Sequence, residues 1–236
     1  MPLLRGALVL LSDYKWFQAQ PGSPPQSSLP GLIVRRLGLQ DYKPLYKSMQ
    51  YLVVNAEPTR DDEIWLLSHK PVYTQGQAGK AEHVLQPGAI PVVRIDRGGQ
   101  VTYHGPGQLV SYLLLNVRRR KMGARDLVDL IESALIATLQ TFGVTATTRA
   151  KAPGVYVNDA KIAALGLRIK NGWSYHGLSL NVDMDLAPFA DINPCGYPNL
   201  PVTQLAEFVE DRELLMQRVS RMLCNKLLLE LGYLEN

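Results

Sequence analysis

The sequence predicts one α+β domain, a mixed and largely antiparallel sheet with helices packed on it. Three observations point there. β-forming runs and helical runs follow one another without the regular alternation of a doubly wound sheet. Asn171-Gly172 stands between two apolar alternations, the strongest short hairpin signal, and Asn158-Asp159 marks a second turn of this kind. Three stretches carry apolar residues at helical spacing.

Taken in order, residues 1–31 differ from the rest. QAQPGSPPQSSLPG (18–31) mixes Pro, Gly, Ser and Gln, a linker composition. Residues 1–31 are expected to form a poorly ordered extension, and 32–236 a single globular domain. LIVRRLG (32–38) reads as its opening strand. Asp41 caps a helix with Pro44 in the first turn. Tyr42, Leu45, Tyr46, Met49, Leu52 and Val53 mark that helix's buried face. DEIWLLSH (62–69), AIPVVRID (89–96) and QLVSYLLLNV (108–117) are β-rich runs bounded by Gly, Pro and Asp. A second helix over 124–142 carries the stripe Leu127, Leu130, Ile131, Ala134, Leu135, Thr138 and Phe142, and stops at Gly143. PGVYVND (153–159), KIAALGLRIKNG (161–172) and SYHGLSLNVDMD (174–185) read as successive antiparallel strands. Residues 211–234 form the third helix.

Composition bounds the function. With 236 residues, 46% of them hydrophobic, the chain can bury a sizeable core. A net charge of +4 falls short of a dedicated nucleic-acid binder and suits an acidic or anionic partner. Ala7–Leu11, the longest apolar run near the N-terminus, is too short for a membrane helix. Two cysteines make no disulfide framework, so a reducing compartment is expected: the cytoplasm, or an organelle matrix if residues 1–31 target the chain there. His69, His83, His104 and His176 show no zinc spacing, and no metal is expected.

Four stretches have the residues for chemistry. DRGGQVTYHGPGQLVSY (96–112) sets glycines beside Arg97 and His104, so that the backbone can approach a ligand closely. HKPVYTQGQAGKAEHVL (69–85) holds Lys80 and His83 but lacks the spacing of a nucleotide loop. Lys161 opens an apolar strand just after a polar turn; it is either a solvated edge charge or a partly desolvated proton carrier. Cys195 sits in a Pro-Cys-Gly turn without apolar neighbours, where it is either filler or a presented nucleophile. Cys224, among leucines on the third helix, reads as core.

Together these stretches resemble the octanoyltransferase family of lipoate biosynthesis, lipoate-protein ligase B. RGGQVTYHGPGQL (97–109), GVYV (154–157), KIAALGLRI (161–169), YHGLSLNV (175–182), INPCGY (192–197) and VTQL (202–205) stand in the family's order and spacing. The resemblance implies the fold of the biotin- and lipoate-protein ligase catalytic domains. It implies an acyltransferase that moves an octanoyl group from octanoyl-acyl carrier protein to a lysine of a lipoyl domain, in 2-oxoacid dehydrogenases or the glycine cleavage H protein. Cys195 matches the nucleophile that carries the acyl group as a thioester, and Lys161 the proton shuttle beside it. Arg97, Gly98, Gly99, Gln100, Val101, Thr102, Tyr103 and His104, with Ala164, Leu165, Gly166, Gly177, Leu178 and Ser179, match the stretches that line the substrate site.

The donor is already a thioester, so no cofactor is expected. A monomer is expected, with neither nucleic acid nor membrane as partner. Ser68-His69-Lys70-Pro71 departs from the family's usual Glu-His-Pro-Pro, with an effect expected on a partner surface rather than on the chemistry. The alternatives are an ATP-dependent lipoate or biotin ligase of the same fold, and a non-catalytic module that binds the carrier protein or the lipoyl domain.

Overall fold

The computed structural model describes residues 14–17, 31–150, 152–198 and 200–234. In chain order the elements are β1 (Tyr14–Phe17), β2 (Leu32–Gln40), α1 (Tyr42–Val54), β3 (Asp62–His69), β4 (Val72–Gln75), β5 (Val92–Arg94), β6 (Val101–His104), β7 (Gln108–Leu114), α2 (Ala124–Gln140), β8 (Thr147–Thr148), β9 (Gly154–Val157), β10 (Ala160–Lys170), β11 (Trp173–Asn181) and α3 (Leu215–Glu230). Eight strands form one sheet in the order β1-β2-β3-β7-β11-β10-β9-β8, and β5-β4-β6 form a second. Among the described residues of the large sheet, only β2 and β3 pair in parallel. The α+β class read from the sequence is the class observed.

The core follows from strand alternation. In β7 and just beyond it, Leu109, Leu113 and Leu115 point to one face, where α2 and α3 cover them with Ile131, Leu135, Leu223 and Leu227. Val110, Tyr112 and Leu114 point to the other, where α1 covers them with Leu45, Met49 and Val53. A strand covered on both faces has no polar alternation left, and every residue of β7 is buried. Each such leucine contributes about 1.5–3 kcal/mol over an exposed one. Cys224 lies within the α2/α3 core, as its neighbours implied.

The two hairpins close as read. Asn158 and Asp159 have φ of 45° and 70°, Asn171 and Gly172 have 54° and 83°, and each pair makes a two-residue turn with left-handed dihedrals. Other readings change. AIPVVRID shrinks to β5, and SYHGLSLNVDMD ends as a strand at Asn181. Two strands, β4 and β6, arise inside stretches read as loops and pair antiparallel with each other. The third helix starts at Leu215, behind a left-handed Leu214 with φ of 50°. Of the expected extension, only 14–17 and Gly31 fall among the described residues; β1 pairs antiparallel with Leu32–Arg35. Among the described residues no helix is long and apolar enough to cross a membrane.

Candidate active site

Lys161 stands at the start of β10, where the pairing with β9 shifts register between Lys161 and Ala163. Its side chain is 4% exposed. The ammonium donates to the Pro153 carbonyl at 2.9 Å and to the Cys195 sulfur at 3.0 Å. It also lies 5.3 Å from the centre of the Tyr156 ring. Gly154 leaves room for it: a Cβ there would stand 2.4 Å from Lys161 Cε. The strand reading of Lys161 as a solvated edge charge therefore gives way to a desolvated lysine with two acceptors.

Cys195 arrives from a different element. Pro194–Gly196 lie in two overlapping tight turns, in which Cys195 leaves the helical region with φ of 58° and ψ of 16°. For a residue with a Cβ this left-handed conformation costs roughly 1–2 kcal/mol. The surrounding turn holds it. Asn193 N–H donates to the His83 carbonyl at 2.9 Å, and Gly196 N–H to the Asn193 carbonyl at 2.9 Å. His83, whose role the sequence left open, is thus a brace for the turn that presents the thiol, while Lys80 remains exposed and pairs with Glu82.

Beside this pair lies a cavity of about 410 Å³. It is lined by Cys195 and Lys161 and by Arg97, Gly98, Gly99, Gln100, Val101, Thr102 and His104. Ala164, Leu165, Gly166, Gly177, Leu178 and Ser179 complete the expected set around it. Tyr103 is the exception. It packs with Tyr73, Val101, Ile192 and Met184 in a separate apolar cluster, on the face of β6 opposite Thr102 and His104, and of that cluster Val101 alone also reaches the cavity. A larger groove of about 1150 Å³, between α3 and the β2–β3 strands, contains neither Cys195 nor Lys161.

The polar wall is a chain of hydrogen bonds. Buried Arg97 donates to the Gly98 and Thr74 carbonyls at 2.9 and 2.7 Å and to Thr74 Oγ1 at 3.1 Å. Thr74 Oγ1 donates to His104 Nε2 at 3.2 Å, and His104 Nδ1–H donates to Gln108 Oε1 at 2.7 Å. Gln108 passes the sequence on to Asn181 Oδ1 at 2.9 Å, and Asn181 to the Thr203 carbonyl at 3.0 Å. Burial lowers the pKa of His104 to about 3 and that of His69 to about 4, so both are neutral. His69 donates from Nδ1 to the Gln40 carbonyl and accepts from the Tyr112 hydroxyl. The departure at 68–71 falls on Ser68, whose hydroxyl donates to the Gln108 carbonyl at 2.7 Å, and on Lys70, which is exposed and paired with Asp41; His69, shared with the family's motif, is interior and bonded to the cavity-lining Tyr112.

Residues 41–228 match the lipoyl protein ligase A/B catalytic domain. The chain belongs to this family. It is 64% identical over 180 residues to the octanoyltransferase of Hahella chejuensis, covering 76% of this chain and 80% of that one. It is 57% identical over 202 residues to that of Pseudomonas entomophila, covering 86% and 93%. In fold it is similar to lipoate-protein ligase A bound with ATP, with a TM-score of 0.67 at 14% identity over 87% of each chain. A bi-partite lipoate protein ligase from Thermoplasma acidophilum gives a TM-score of 0.65 at 15% identity over 84% and 85%.

Within this lipoyl protein ligase A/B domain, several cavity residues escaped the sequence reading. Tyr42 and Tyr112 line it but look like core stripes. His176 lines it from a left-handed φ of 61°, in the middle of β11. Its Nε2–H donates to Asp96 at 2.9 Å, and its Nδ1 is buried without a protein partner. Burial raises the Asp96 carboxyl, but hydrogen bonds from His176, Tyr175 and Tyr46 outweigh that and hold it below the usual carboxylate range. Burial likewise outweighs Asp96 at His176 and lowers the imidazole. The one available signal was the His-Gly pair inside an apolar strand, which marks an irregular backbone.

Proposed function

We propose that Cys195 carries the octanoyl group as a thioester and that Lys161 moves the protons. The chain is an acyltransferase of lipoate biosynthesis that transfers octanoyl groups, with an acyl carrier protein as donor and lipoyl domains as acceptors in general. The observation that carries the mechanism is the 3.0 Å contact between Lys161 Nζ and Cys195 Sγ at the wall of the cavity.

In the first half, the Cys195 thiol gives its proton to the Lys161 amine, and the thiolate, held by the ammonium so formed, attacks the donor's thioester carbon. The donor C–S bond breaks, and Lys161 returns the proton to the departing carrier thiol. One thioester replaces another at nearly balanced free energy. In the second half, the acceptor lysine's amine attacks the acyl-cysteine and the new C–S bond breaks. The amine's proton leaves through Lys161 to the sulfur. An amide is far more stable than a thioester, so this half drives the whole, and no nucleotide is consumed. Arg97 lines the same cavity, and its buried guanidinium is the fixed cation we assign to the charge that develops on the carbonyl oxygen. The acceptors we infer are the lipoyl domains of 2-oxoacid dehydrogenases or the glycine cleavage H protein, served by a monomer in the cytoplasm.

The test is incubation with octanoyl-carrier protein, without ATP, followed by mass spectrometry. A hydroxylamine-sensitive octanoyl adduct on Cys195 is expected, absent in Cys195→Ala and slowed in Lys161→Ala. Transfer at the wild-type rate by both variants would sink the mechanism.

A further inference from the structure

Glu132 is buried on α2, at 7% exposure, beside Ile131 and Leu135 of the core. A carboxylate there is costly to desolvate, and an apolar side chain would serve the helix better. Its partner is a neutral backbone amide: Oε1 accepts the Gly154 N–H at 2.9 Å. Gly154 is the first residue of β9, and a Cβ there would touch Lys161 Cε. The preceding carbonyl, Pro153, is the one that accepts from Lys161 Nζ at 2.9 Å. Three contacts of 2.9, 2.9 and 3.0 Å therefore run from Glu132 through the Pro153–Gly154 backbone and Lys161 to the Cys195 sulfur.

We propose that Glu132 is a positioning residue for the transfer reaction: it fixes the Pro153–Gly154 backbone by its hydrogen bond, and thereby the place of the Lys161 ammonium. The inference rests on the Cys195–Lys161 reading above. The helix needs no carboxylate at this position, whereas the Pro153–Gly154 corner needs an acceptor for a buried N–H. Without it the corner shifts and Nζ drifts from Sγ.

The experiment measures single-turnover acylation of Cys195 by octanoyl-carrier protein in the full chain, with melting temperature alongside. Glu132→Leu should slow acylation about 100-fold, since a misplacement of about 1 Å costs that much, with the apparent donor affinity unchanged. Glu132→Gln keeps an oxygen for the Gly154 N–H and should recover most of the rate. Leu135→Ala, a core truncation on the same helix, should lower the melting temperature and leave the rate intact. If Glu132→Leu does not fold, Glu132→Met, of similar reach, takes its place. Acylation at the wild-type rate in the Leu or Met variant overturns the inference. So does a Gln variant as slow as Leu, which would put the charge rather than the hydrogen bond in control. Equal slowing in Leu135→Ala overturns it too, by showing a purely structural effect. Lys161→Ala separates the two levels: slow Lys161→Ala with normal Glu132→Leu defeats this inference alone, and normal Lys161→Ala defeats the reading beneath it.

Discussion

Gly154 and Lys161 share one corner of the fold: a Cβ on Gly154 would stand 2.4 Å from Lys161 Cε and 2.9 Å from its Nζ. Gly154 also has a φ of 140°, which side chains with a Cβ rarely adopt. Gly154→Ala should therefore push the ammonium off the sulfur. We expect Cys195 acylation to fall about 100-fold and stability to fall by about 1–3 kcal/mol. Adduct formation by mass spectrometry and urea unfolding check the two effects. An alanine variant that acylates normally would show that the corner has slack.

The left-handed turn at Cys195 gives a second prediction. Glycine adopts that conformation without the steric penalty, alanine does not. Cys195→Gly should abolish transfer and yet be more stable than Cys195→Ala by about 1 kcal/mol, the steric penalty less part of glycine's extra chain entropy. Denaturant midpoints of the two inactive variants decide it; equal midpoints would mean that the turn stores no strain.

Acid should destabilise the fold before its carboxylates titrate. Folded His69 and His104 have pKa values of about 4 and about 3, against an ordinary 6.5. As pH falls the unfolded chain binds these protons first. Their contribution is fully present above pH 6.5 and is lost toward the folded values, by up to about 1.4 kcal/mol per pH unit for each group. Asp96 acts in the same direction lower down, because its carboxyl is held below the ordinary value. Urea midpoints from pH 7.5 to 4.5 should fall steeply, and His104→Gln should flatten the slope. A slope that His104→Gln leaves unchanged would place the acid sensitivity elsewhere.

Arg97→Lys tests the polar wall. The guanidinium reaches the Gly98 carbonyl and two Thr74 oxygens at once, and an ammonium on a shorter, unforked stem cannot. Losing one such charged hydrogen bond should cost about 2 kcal/mol. Transfer should fall as well, because Arg97 lines the cavity with Gly98 and Gly99. Thermal melts and acylation rates report the two separately; a lysine variant with both intact would make the wall dispensable.

What the sequence made legible was local. The Asn158-Asp159 and Asn171-Gly172 hairpins depend on two residues each, and the helical stripes on one period. The strands β4 and β6 escaped because they are four residues long and their partners lie about thirty residues away, inside Pro- and Gly-rich text. The Lys161–Cys195 meeting spans 34 positions and no pattern of spacing encodes it; the resemblance alone suggested it. Carrying a whole motif across placed Tyr103 at the cavity, where two-residue alternation turns it away. Glu132 gave no signal, since a single acidic residue on an amphipathic helix reads as solvent-facing until its burial is known.

The hydrogen bonds from Arg97 to Thr203 all run one way, each group giving to the next. At the far end, the Thr203 N–H donates to the backbone carbonyl of Lys161 at 3.1 Å. No member can reverse alone, because turning one leaves two donors or two acceptors facing each other. The wall is thus a polarised wire with a fixed sense, running from the cavity's buried guanidinium to the Thr203 carbonyl, and Thr203 is tied through its own N–H to the backbone of the lysine. Altering Thr74, Gln108 or Asn181 would rewrite the grammar of the whole line rather than delete one word from it.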